Sequence, residues 1–226
     1  MSAVSSSRGI RAVVLVVLLA MFAAVSAGAA SAEQYAALGD SYSSGVGTGS
    51  YTLDSACKRS VYAYPYLVAQ KRANTSLTFV ACSGAKTSDL LANQLSAVTS
   101  TTSIVTLTIG GNDIGFADLI YRCTLSDCSS ALDTTRTNLE TTLGISSTEQ
   151  SKANQLADAL DNVIATHARA DGVIYQSAIG PFTGHAVCSS SPWLNGLNLF
   201  STGESYHPNR AGHSSGYLPL VRAIIG

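Results

Sequence analysis

Short apolar runs alternate with longer stretches of helical periodicity along this chain. Gln34 to Leu38 and Leu77 to Cys82 read as strands, and Ile104 to Ile109 as a third, buried and rich in β-branched residues. Gly172 to Ala178, carrying Val173, Ile174 and Tyr175, reads as the last strand. Between them the spacing predicts a helix over Val61 to Arg72, with Pro65 near its start. A second helix is capped by Ser88 and runs through Leu90, Leu91, Leu95 and Val98. Ile114 to Tyr121 and Ala131 to Leu143 follow as helices. Ala153, Leu156, Ala157, Leu160, Val163, Ile164 and His167 then form one stripe of an amphipathic helix. A long loop, Gly180 to Ser205, holds the single Trp193. The C-terminal helix is expected to begin at Pro208, a residue suited to a first helical position, and to run to Ile225. Strands separated by helices predict an α/β domain with a mainly parallel sheet.

Before residue 33 the pattern changes. Arg8 and Arg11 lie in a short cationic start, Val13 to Val25 is almost unbroken apolar, and Ala30-Ser31-Ala32 has the form of a cleavage site. Residues 1–32 therefore read as a secretory signal peptide, with an apolar core too short for a membrane anchor. Residues 33–226 remain as one domain, long enough to bury a core, and the product is expected to be extracellular with no anchor after cleavage. Loss of Arg8 and Arg11 leaves 11 basic against 14 acidic residues, about −3, and no basic patch for nucleic acid.

All five cysteines (Cys57, Cys82, Cys123, Cys128 and Cys188) lie in the exported part, where disulfides persist. An odd count leaves one thiol unpaired or pairing between chains. Cys123 and Cys128 are close enough to staple one loop. Cys57 and Cys82 could tie the region after the first strand to the end of the second, leaving Cys188 over. No metal-ligand spacing occurs.

In parallel sheets, ligands collect beyond the carboxyl ends of the strands. The first strand stops in Gly39-Asp40-Ser41, the second in Cys82-Ser83-Gly84-Ala85 and the third in Gly110-Gly111-Asn112-Asp113. Singly, each is an ordinary turn or cap. Together they bring a hydroxyl, a backbone N–H and a carboxamide to one rim. Acyl transfer needs that set: a nucleophile, Ser41, and donors for the oxygen that becomes negative, here the Ser41 N–H, the Gly84 N–H and the Asn112 amide.

A serine also needs a base. His207, in Tyr206-His207-Pro208-Asn209, stands at a loop end just ahead of the last helix. His213 inside that helix reads as structural or solvent-facing, His185 as a loop residue able to line a pocket, and His167 as a boundary residue of its stripe. Gly212-His213-Ser214-Ser215-Gly216 matches the G-x-S-x-G elbow, yet no strand precedes it and no Asp, Glu or His follows it. It is rejected.

Gly39-Asp40-Ser41-Tyr42-Ser43-Ser44-Gly45, Ala81-Cys82-Ser83-Gly84-Ala85, Gly110-Gly111-Asn112-Asp113 and His207-Pro208-Asn209 resemble the four blocks of the SGNH (GDSL) hydrolases. Gly184-His185-x-x-Cys188 and Trp193-Leu194-Asn195-Gly196-Leu197 point to their secreted actinobacterial lipase/esterase branch. The resemblance implies a flavodoxin-like three-layer α/β/α sandwich without metal or cofactor. It also implies hydrolysis of carboxylic esters, such as lipid or short-chain acyl esters, through an acyl-serine. Ser41 would be the nucleophile, His207 the general base, and Ser41, Gly84 and Asn112 the oxyanion donors. A monomer acting on an ester or lipid substrate is expected, and activity should rise with pH through a pKa of about 6–7. A polysaccharide deacetylase and a secreted binding protein that has lost turnover are the alternatives.

Two departures from the family pattern matter. Where an Asp often orients the histidine, this chain has Glu204; similar secreted members use the carbonyl two residues before the histidine, here Ser205, which is the expected orienting group. The branch also carries another buried strand and a sixth cysteine between Leu143 and Ala153, where only Gly144-Ile145-Ser146-Ser147-Thr148-Glu149-Gln150 stands. The sheet is therefore expected to be one strand short, four instead of five, with Cys188 a free thiol. In the long loop, Phe182, Trp193, Leu194, Leu197 and Phe200 could supply either an acyl-binding wall or core packing.

Overall fold

The computed structural model describes residues 32–116, 119, 122, 134, 137, 161, 162, 164–166 and 168–226. The expected signal segment up to residue 31, the expected Cys123–Cys128 pairing, the stretch 144–150 and His167 lie outside the described residues.

Glu33–Gly39 forms β1, with Tyr35, Ala36, Ala37 and Leu38 at most 2 % exposed. Burial on both faces marks it as the central strand, and its alanines let neighbouring layers approach. It pairs in parallel with β2, Thr75–Phe79, on one side and with β3, Thr102–Thr108, on the other, giving the order β2-β1-β3. Ala36 lies opposite both Thr78 and Val105. The chain leaves β1 through a single helical turn, α1 (Ser41–Ser44), and returns to β2 through α2 (Tyr64–Lys71), with Pro65 in its first turn, where no hydrogen-bonded N–H is needed. One face of the sheet is closed by α2 and the C-terminal helix around Tyr35, Ala37, Val68, Ile104 and Leu218. This arrangement fits the expected α/β/α sandwich.

Several boundaries differ from the sequence reading. Gly172 to Ala178 was expected as a strand, but no described neighbour exchanges ladder hydrogen bonds with it. Val173 and Ile174 are exposed, and the Tyr175 and Ser177 hydroxyls donate to the Asp161 carboxylate instead. A β-branched run becomes a strand only where an edge is within reach, so the described sheet has three strands. β3 is not buried throughout: Ile104 faces the core while Val105 and Leu107 are nearly half exposed. The helix expected from Ser88 starts at Thr87, as α3 (Thr87–Asp89), because the Asp89 carboxylate accepts the Lys86 N–H and closes the first turn. It runs on into a π-helical turn, Leu90–Gln94.

Pro208 does not open the last helix. It pairs with Leu194 in an isolated bridge, and Asn209 caps the helix by accepting the Gly212 N–H at 3.0 Å. A π-helical turn, Gly212–Tyr217, then leads into the final α-helix, Leu218–Ile225. The rejected elbow lies in that turn with Ser214 and Ser215 exposed. Its glycines are there for packing. A Cβ on Gly212 would stand 2.5 Å from the Trp193 carbonyl oxygen, and one on Gly216 2.5 Å from the Phe182 ring. Cys57 and Cys82 form a disulfide with a sequence separation of 25, a closure worth roughly 3 kcal/mol by loop entropy. Cys188 is a free, exposed thiol.

Candidate active site

β1 ends where the sheet's hydrogen bonding divides. The Gly39 carbonyl accepts the Cys82 N–H and the Asp40 N–H donates to the Thr108 carbonyl, each at 2.9 Å. The exits of β1, β2 and β3 are thereby held together, three stretches far apart in sequence. Gln94 clamps the same point: its carboxamide accepts from the Gly39 N–H at 2.7 Å and donates to the Gly39 carbonyl at 2.9 Å. Asp40 caps α1 by accepting the Tyr42 N–H at 3.0 Å and also accepts the Thr108 hydroxyl at 2.8 Å. Ser43 bonds both Thr108, at 2.8 Å, and the Tyr64 hydroxyl, at 3.1 Å. Burial pushes the Asp40 carboxyl up to about 6. The serine that follows is thus set on a turn fixed from every side.

Ser41 is 6 % exposed, and its Oγ lies 2.9 Å from His207 Nε2. His207 Nδ1 lies 3.0 Å from the Ser205 carbonyl oxygen. A carbonyl can only accept, so Nδ1 carries the proton and Nε2 is left to accept from the serine hydroxyl. The Glu204 carboxylate is turned elsewhere and accepts the Tyr51 hydroxyl at 2.8 Å. The histidine loop is belted by Asn195, whose amide donates to the carbonyls of Gly47 and Glu204 and whose backbone pairs with His207 and Tyr206. Tyr42 adds a donor to the Tyr206 carbonyl, its ring tilted against the imidazole with centroids 5.2 Å apart. Gly47 is required beside them. Its φ is +94°, and a Cβ there would meet the His207 Cβ at 2.8 Å.

Neither the Ser41 N–H nor the Gly84 N–H makes a hydrogen bond among the described residues. Asn112 spends one amide N–H on the Ala85 carbonyl at 2.9 Å, which ties it to the turn holding Gly84 and leaves its second N–H available. The Asp113 carboxylate anchors this segment by accepting from the backbone and hydroxyl of Thr87.

Burial favours neutral His207 and lowers its pKa; the Ser205 carbonyl opposes that shift, Lys58 reinforces it and Glu204 opposes it. The expected range of about 6–7 is therefore moved downward.

The other described histidines, His185 and His213, are occupied. His213 is fully buried, Nδ1 accepts the Tyr64 N–H at 3.2 Å, and burial takes its pKa to about 3. His185 stacks flat on Trp193 with centroids 3.7 Å apart. Phe182 meets the edge of Trp193 and packs on Tyr217, so these half-buried rings pack on one another and against the C-terminal helix. Sequence inspection missed Gln94 and Thr108, which hold the serine turn. A glutamine in a helical stretch and a threonine at a strand end carry no signal of that duty.

The GDSL-like Lipase/Acylhydrolase family model matches residues 37–214. Lipase 1 of Streptomyces coelicolor is 40 % identical over 85 % of this chain and 87 % of that protein, and a lipase of Streptomyces rimosus is 38 % identical over 94 % and 95 %. Two crystal structures superpose on it at 36 % identity, each covering 85 % of this chain and 99 % of the other. They are the extracellular lipase of S. rimosus (TM-score 0.73) and phospholipase A1 of Streptomyces albidoflavus NA297 (TM-score 0.74). With a family match across most of its length and relatives this close, the chain belongs to the GDSL-like lipase/acylhydrolase family.

Proposed function

We propose that this is a secreted serine esterase acting on acyl esters, with Ser41 as nucleophile and His207 as general base. The 2.9 Å contact between Ser41 Oγ and His207 Nε2 carries the reading. In the first step Nε2 takes the hydroxyl proton as Oγ attacks the ester carbonyl carbon. The carbonyl electron pair moves onto oxygen, where the N–H groups of Ser41 and Gly84 and the free Asn112 N–H stabilise it. Each such donor is worth about 2.7–4 kcal/mol in the transition state. His207 then protonates the departing alkoxide, leaving an acyl-serine. A water deprotonated by Nε2 reverses the sequence and releases the acid. Ser205 fixes the tautomer throughout.

Residues 1–32 act as the signal peptide and 33–226 as the hydrolase domain, which works as a monomer. No helix among the described residues is long and apolar enough to cross a membrane. A binding protein that had lost turnover would not need the serine and imidazole held at bonding distance. The test is covalent: an organophosphonate should add its mass to Ser41 and stop hydrolysis of p-nitrophenyl esters. An unmodified Ser41 in an active enzyme would refute the assignment.

Two further outcomes follow from the histidine's surroundings. Because the base works only when neutral and burial lowers its pKa, kcat/KM on a neutral ester should rise with pH through a midpoint below the ordinary histidine value of 6.5. A midpoint above 6.5 contradicts the geometry. Glu204→Gln keeps an acceptor for Tyr51 and leaves the Ser205 carbonyl in place, so kcat should change by less than about threefold. A loss of several orders of magnitude would make the carboxylate the orienting group.

A further inference from the structure

Between Asp171 and Glu204 the chain contains no Asp, Glu, Lys or Arg. Part of this uncharged stretch packs inward through Phe182 and Trp193. Leu199 and Phe200 do the opposite, at 71 % and 104 % exposure, with Leu197 beside them at 36 %. Large apolar side chains held in water at one point mark an interaction surface.

Their exposure is built in. The Asn198 Oδ1 accepts the N–H groups of Phe200 and Ser201 at 3.0 and 3.1 Å, closing a tight turn. The Asn198 N–H donates to Ser205 Oγ at 2.9 Å, and the carbonyl of that same serine lies 3.0 Å from His207 Nδ1. The apolar knuckle is therefore bolted to the residue that sets the histidine.

A cation stands on the same rim. Lys58 Nζ lies 3.4 Å from where a Cβ on Gly203 would be, three residues beyond Phe200, and 5.8 Å from the Tyr51 ring centroid. It makes no ion pair among the described residues. Its backbone is fixed by the Cys57–Cys82 disulfide and by the Ser83 N–H donating to the Cys57 carbonyl.

We propose that Leu197, Leu199, Phe200 and Lys58 form the surface on which this enzyme seats against an anionic phospholipid layer, with the Ser41–His207 pair facing the lipid. Leucine and phenylalanine enter the headgroup boundary while the neighbouring ammonium meets the phosphates of anionic headgroups. Three side chains are too few for a stable protein interface, which needs on the order of 1,000 Å². This inference rests on the reading of the substrate as a lipid ester.

The test uses the processed chain carrying Ser41→Ala, so that vesicles are not consumed. Co-sedimentation with phosphatidylglycerol vesicles is expected, weaker with phosphatidylcholine. Adding Leu199→Ser and Phe200→Ser should cut partitioning at least tenfold. Lys58→Gln should erase both the preference for phosphatidylglycerol and the sensitivity to salt, and Lys58→Arg should restore them. Circular dichroism and the thermal midpoint show whether each variant is folded. No sedimentation of the parent, or equal sedimentation of the folded Leu199/Phe200 variant, overturns the proposal. Self-association of the parent that vanishes in that variant, without vesicle binding, overturns it in favour of a second copy. A phosphatidylglycerol preference that survives Lys58→Gln overturns the part given to the lysine. Wild-type hydrolysis of p-nitrophenyl butyrate tests the esterase reading separately: an active enzyme that ignores vesicles defeats this inference alone.

Discussion

Alanine at position 41 is expected to lower kcat/KM on a p-nitrophenyl ester by about 10⁵-fold, a loss of roughly 7 kcal/mol of transition-state stabilisation. The hydroxyl it removes has one side-chain partner among the described residues, His207 Nε2, while the carbonyl of residue 41 keeps its bonds from Gly45 and Val46. The fold should therefore survive, with the thermal midpoint changing by only a few degrees. His207→Ala should cost about as much, because an imidazole without a hydroxyl and a hydroxyl without a base fail at the same step. The double variant should then be no worse than either single one. Kinetics of the three variants decide the point. If the double variant loses the product of the single losses, the two side chains act independently and the catalytic pair is wrong.

Asn112→Ala is expected to lower kcat by about 10²–10³-fold and to leave KM nearly unchanged. The reason is geometric. One amide N–H is fixed on the Ala85 carbonyl at 2.9 Å, so the second is held in a set direction beside the turn that carries the Gly84 N–H, which makes no hydrogen bond among the described residues. Such a donor meets little charge on a ground-state carbonyl and full charge on the tetrahedral oxygen, so its loss falls on kcat. Asn112→Asp should do no better, because a carboxylate has no proton to donate and repels the developing anion. Steady-state kinetics separate the terms. A kcat within threefold of the parent in Asn112→Ala would remove Asn112 from the oxyanion site.

What could be read from the sequence follows from local rules. β1 was visible because four successive apolar or small residues, Tyr35 to Leu38, end abruptly in Gly39-Asp40-Ser41. The strand exits at Gly84 and Asn112 were visible for the same reason. A parallel sheet places all its carboxyl ends on one side, so the order of strands and helices already directed three polar groups to one rim. His207 stood out because a histidine ahead of a helical pattern sits at a loop end, and the four blocks occur in the order of the family to which this chain belongs. The pairing of Cys57 with Cys82 was one of the alternatives left open by spacing, and the folded chain forms it.

Long-range contact decided the rest. Gly172 to Ala178 has strand composition but no described edge to pair with, and hydrogen-bonding partners, not propensity, make a strand. Gln94 looked like any polar residue of a helix until folding set its amide against Gly39, 55 residues away. Whether Glu204 or Ser205 faces His207 turns on Tyr51, which binds the carboxylate from 153 residues off and leaves the Ser205 carbonyl at His207 Nδ1. The same holds for the aromatics of the long loop: Phe182 and Trp193 pack on each other and Phe182 on Tyr217, whereas Phe200 stacks on no ring among the described residues and stands in water. Periodicity encodes which side of an element is apolar; only the assembled molecule supplies what that side meets.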